Sequence, residues 1–166
     1  MEMTHYMELL ASNQPWNLIL FMAVPVILAE TVAITELYLL LTKDTKGWVK
    51  SLSRFAGITG GIYFIWVFLY LLFTAFIPLT TSGSWRGLAD IIAVSSYLLC
   101  VIPLVGIALS DLNLIGKDES QRNKLHALFV AIFLVIAHIA MIFGMLAPSV
   151  LGFEPAATEV MDHMNM

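Results

Sequence analysis

The run from Trp16 to Thr42, WNLILFMAVPVILAETVAITELYLLLT, is apolar over a length that matches a lipid bilayer, yet it carries two carboxylates, Glu30 and Glu36. A membrane-crossing helix needs about 20 mostly apolar residues, and an acid at its centre costs on the order of 3 kcal/mol on insertion scales. The run therefore reads as a membrane span whose acids need partners. Three more such runs follow, over 55–79, 88–109 and 125–147. With short connections between them, these specify an all-α, polytopic membrane protein: an antiparallel four-transmembrane-helix bundle forming one membrane domain over 1–166.

Composition supports this class and removes others. Hydrophobic residues make up 60% of the chain and charged ones 12%, far from the balance of a water-soluble domain. The net charge is −4 with no basic stripe, so nucleic acid is not an expected partner; the lipid bilayer is. Cys100 is the single cysteine, which rules out an intrachain disulfide and any CxxC cluster. The N-terminus, MEMTHYMELL, lacks the basic region of a cleaved signal peptide, so the first span is expected to persist in the mature protein.

Before the first span, Met3, Tyr6, Met7 and Leu10 follow the spacing of one helical face, which predicts a short helix in the outer interfacial segment 1–14. In the second span, Gly57, Gly60 and Gly61 predict close approach to a neighbouring helix, as does the stripe Ser96, Cys100, Pro103 in the third. Orientation follows from the cations. Of eight Lys and Arg residues, only Arg86 lies outside the first and third loops, so those loops are expected in the cytoplasm and both termini outside, with 148–166 as an outer tail. The opening run ELLASNQPWNLILF resembles that of a bacterial membrane family, which implies a bacterial inner-membrane location and no particular activity.

Counting along the helices places the buried polar groups. Glu30 is roughly 20 Å from either end of its span, and His138 lies roughly 15 Å from the outer end of the fourth, so the two are expected to meet near the midplane. Nearer the cytoplasm, Glu36 and His126 predict a second acid–imidazole pair one or two turns away. Ionisable groups inside spans usually mark a proton or cation route, whereas the structural alternative is a satisfied pair that fixes helix register. Pro25 removes the donor that the Phe21 carbonyl would otherwise use, and so offers a backbone oxygen to a cation. Asp90, one turn inside the third span, reads either as a helix-start residue interacting with Arg86 or as an entrance carboxylate.

Methionine and histidine gather at both ends of the chain: Met3, His5 and Met7 at one, Met161, His163, Met164 and Met166 at the other. Thioether and imidazole donors suit copper(I), and His138, Met141 and Met145 share a face leading toward the same side. Interfacial anchoring and core filling are the alternative uses of these residues.

Three functions compete on this reading. The first is a small transport or metal-handling protein for a cation, with copper as a candidate and protons as a coupled partner. The second is a quinone- or haem b-binding subunit of a respiratory complex, which would need an axial partner such as Met22. The third is a non-catalytic subunit or assembly factor bound to other membrane subunits. An enzyme is disfavoured, because no HExxH, GxSxG or phosphate loop is present.

Overall fold

The computed structural model describes residues 3–42 and 47–154, and every described element is helical. A short helix α1 (His5–Ala11) precedes four helices long and apolar enough to cross a membrane: α2 (Trp16–Thr42), α3 (Trp48–Ser82), α4 (Gly87–Asp111) and α5 (Glu119–Met145). A 3-10 turn, Pro148–Leu151, follows. Helix α2 lies against α3, α3 lies against the second half of α4, and α5 runs along both halves of α4. Contact between α2 and α5 is sparse, which leaves α2 at the edge of the assembly. The shared core includes Val32, Phe64, Val67, Leu104, Ile107 and Phe133.

Two helices run past their apolar stretches. Helix α3 starts at Trp48 rather than near 55, taking in Lys50, Ser53 and Arg54. Helix α5 starts at Glu119 rather than near 125, because the Asp118 carboxylate accepts the Gln121 N–H at 2.7 Å and caps the helix there. Backbone hydrogen bonding continues past the end of the apolar run, whereas the hydropathy pattern stops there. These extra polar turns carry Ser53 and the rim of the candidate site.

Three prolines inside spans each accompany a local departure from α geometry. A π turn, Ile19–Ala23, ends two residues before Pro25, and another, Leu72–Phe76, ends two residues before Pro78. In α4 the helix is interrupted at Cys100, three residues before Pro103. The cause is common to all three: proline lacks the N–H and its ring crowds the carbonyl four residues earlier. At Pro25 that carbonyl belongs to Phe21, and it accepts the Tyr97 hydroxyl of α4. The Tyr63 hydroxyl of α3 donates to the adjacent Leu20 carbonyl at 2.8 Å. The backbone oxygen expected to await a cation is thus engaged by the fold itself.

Helix α1 is packed into the assembly. Tyr6 and Leu10 are buried, and Tyr6 packs against Tyr97 with ring centroids 5.2 Å apart. Gly144 makes this approach possible, since a β-carbon there would come within 2.5 Å of the Tyr6 ring. The Thr4 hydroxyl donates to the Gly144 carbonyl at 2.5 Å and accepts the Met7 N–H at 3.3 Å, so one side chain caps α1 and ties it to α5.

Candidate functional site

The end of the assembly nearest Lys50, Arg54 and Arg122 holds a polar cavity of about 150 Å³ to which all four long helices contribute. Glu36 comes from α2, Ser53 from α3, Ser110 and Asp111 from α4, and His126 from α5. His126 is buried, with Nε2 3.3 Å from Asp111 Oδ2 and Nδ1 3.4 Å from Glu36 Oε1. The Ser53 hydroxyl donates to the same Glu36 oxygen at 3.0 Å. The Nδ1 contact is close enough for an ion pair but is not aligned as a hydrogen bond, and the buried Ser110 hydroxyl also lacks a hydrogen-bond partner among the described residues. Two buried polar atoms thus face a cavity large enough for water or a small ion. At the rim, Lys50 pairs with Glu119 at 2.7 Å.

Close packing positions this cluster. A β-carbon at Gly57 would lie 2.2 Å from Asp111 Oδ2, so only glycine lets α3 pass the carboxylate. One turn on, a β-carbon at Gly61 would sit 2.6 Å from that of Ala108, so the glycine end of the second span packs closely, as expected. An imidazole with an acid at each ring nitrogen is suited to accept a proton on one side and release it on the other. It is poorly suited to a multidentate metal site, because the two acids lie at opposite nitrogens. Among the described residues, no three His, Cys, Asp or Glu side chains converge as metal ligands.

The expected midplane pair is not formed. The Glu36–His126 contact fixes a common level for α2 and α5. Glu30 lies six residues from it toward the opposite end of the assembly, roughly 9 Å, and His138 twelve residues in the same direction, roughly 18 Å. Both are exposed on the outer surface of the helices. The His138 ring, through Nδ1, lies 2.6 Å from the Leu134 carbonyl of its own helix. Glu30 has no hydrogen bond or ion pair among the described residues. His126 and His138, on one helix at different depths, also do not form the facing imidazole pair of a bis-histidine haem.

Asp90 is fully buried and committed. Its Oδ1 accepts the backbone N–H of His5 at 2.7 Å, while Oδ2 accepts that of Arg86 at 3.2 Å and lies 2.6 Å from His5 Nδ1. The expected link to Arg86 therefore runs through the backbone, while the guanidinium reaches Glu8 at 2.7 Å and the Met3 carbonyl at 2.8 Å. His5, a candidate copper ligand, uses Nδ1 in this clamp. Next to it, burial pushes the Tyr6 hydroxyl up to about 12, with a smaller push from Cys100. Of the other candidate ligands, Met3, Met141 and Met145 are exposed and Met7 is half-buried, while Met161, His163, Met164 and Met166 lie outside the described residues.

Sequence reading missed Asp111, Ser53 and Ser110. Asp111 reads as the first residue of a polar loop, yet it is the last residue of α4. A buried histidine flanking that loop was the one available signal that an acid on its other side is drawn inward.

A family model described as a family of unknown function, DUF6803, matches residues 1–160. No curated protein and no solved structure matches the chain.

Proposed function

Because the chain belongs to DUF6803, a family of unknown function, its role has to be argued from its own geometry, and we propose that it is a proton-handling membrane protein that moves or binds a cation. In this reading the helices form an up-and-down bundle in a bacterial inner membrane, with the basic loops in the cytoplasm and both termini outside. The cavity around His126 then opens toward the cytoplasm. The observation that carries the reading is the burial of His126 between Glu36 and Asp111, at the wall of a polar cavity. Ionisable groups are retained inside membrane helices chiefly where they bind or relay charge.

Each residue has a stated part. Glu36 and Asp111 are the proton acceptors on either side, His126 shuttles between them, and Ser53 holds Glu36 in place. Outward of the cluster Val32, Ile107 and Phe133 are buried in the core. Passage across the membrane therefore requires that core to open in a second conformation. Copper(I), captured by the methionine- and histidine-bearing terminal segments, is the alternative cargo on the outer side.

Purified protein in liposomes, with an entrapped pH dye and an imposed potential, tests the reading. Wild-type protein is expected to carry protons faster than empty liposomes, and Glu36→Gln and Asp111→Asn to cut that flux at least tenfold. Flux equal to that of empty liposomes, or insensitive to both substitutions, overturns it. Repeating the assay with a copper(I)-sensitive dye distinguishes the two cargoes.

A further inference from the structure

Glu30 is an acid on the outside of a membrane helix. The buried face of α2 is the line Phe21, Pro25, Ala29, Val32, and at about 100° per residue Glu30 projects almost directly away from it. On the same face lie Ile27, Ile34, Leu37 and Leu41, all more than half exposed. It stands 14 residues from Trp16 and 12 from Thr42, or roughly 21 and 18 Å, too deep for a short side chain to reach either headgroup layer. Facing lipid, such an acid costs on the order of 3 kcal/mol. No described residue of the chain offsets that cost.

We propose that this face of α2 is the contact surface of a homodimer, in which Glu30 meets Glu30 of a second copy across a twofold axis along the membrane normal. Depth decides the occupant. The other exposed mid-span ionisable group of the chain is His138, which lies roughly 9 Å further outward than Glu30 on the level set by Glu36 and His126. A twofold axis along the normal preserves depth, so His138 of a second copy stays out of reach while Glu30 of that copy arrives at the required level. Two carboxyls at one depth, each carrying its own proton, hold each other by reciprocal hydrogen bonds: the O–H of each donates to the carbonyl oxygen of the other, and no charge remains in hydrocarbon. The apolar ridge on both sides of Glu30 supplies the packing surface. The edge position of α2 leaves it accessible, since α2 packs mainly on α3.

This inference is independent of the His126 reading, because Glu30 lies outside that cavity. It is tested by disulfide cross-linking in membranes. Ile27→Cys and Ile34→Cys, each in a Cys100→Ser background, keep Glu30 and flank it, while Ile62→Cys reports an exposed site on α3. Oxidation is expected to trap a dimer of twice the chain mass at positions 27 and 34 and not at 62. Adding Glu30→Leu should reduce that product at least tenfold, whereas Glu30→Gln, whose amide still hydrogen-bonds its twin, should retain most of it. The proposal is overturned by cross-linking that is absent at both positions, unchanged by Glu30→Leu, equal at position 62, or directed to a protein of another size.

Discussion

Gly57 passes so close to Asp111 that a β-carbon at position 57 would lie 2.2 Å from the carboxylate oxygen that faces His126. The aspartate cannot retreat without leaving the imidazole. Gly57→Ala is therefore expected to cost about 1–3 kcal/mol of stability by overpacking and to reduce proton flux in parallel. Thermal unfolding in detergent and the liposome assay measure the two effects. Gly60→Ala is the control, since the nearest atom to a β-carbon there is 3.7 Å away.

The Phe21 carbonyl supports a double-mutant test. Pro25 removes its usual helical donor and the Tyr97 hydroxyl replaces it. Tyr97→Phe should then cost about 1–3 kcal/mol, the range for stranding a buried acceptor. In a Pro25→Ala background, where residue 25 regains its N–H, the same change should cost less. Unfolding free energies of the four proteins give the coupling, and equal costs in both backgrounds would contradict the account of the π turn.

Asp90 holds α1 in place. Asp90→Ala leaves two backbone N–H groups and the His5 ring without their acceptor, which predicts a loss of about 3 kcal/mol. The local consequence is release of residues 4–11, read as faster proteolysis within α1 before the spans unfold. Asp90→Asn keeps an acceptor oxygen and should be milder.

Tyr6 predicts an alkaline limit. Its value is raised from 10.0 to about 12, chiefly by burial, so the folded state holds the phenolic proton more tightly than the unfolded chain does. Its contribution is complete below pH about 10 and is lost as pH rises from about 10 toward 12, by up to about 3 kcal/mol. Tyrosinate absorbance followed alongside unfolding temperature checks this, and Tyr6→Phe should flatten the dependence.

The spans were legible because length and hydropathy are strong signals. Their ends were not, since Lys50, Ser53 and Arg54 are helical beyond the apolar run. Helical phase was the weaker signal still. In water a buried face declares itself by contrast with a polar one, but Val32 in the core and Ile34 on the outside are both apolar, so nothing in the pattern says which way Glu30 points. Depth counting puts Glu36 and His126 near one level, and their side chains stand 3.4 Å apart; both lie close to the loops from which depth is counted. The same counting failed for Glu30 and His138, where the error accumulates over more turns and facing matters as much as depth. Asp111 was hidden by its place at the start of a polar loop.

In the proposed function, proton handling resides at His126, packed among the four long helices, and not at the exposed His138. The deciding comparison is proton flux through liposomes containing His126→Ala, measured beside His138→Ala at equal protein content. At least a tenfold loss is expected for His126→Ala, with flux within twofold of wild type for His138→Ala. The reverse order, or equal flux from both, overturns that assignment.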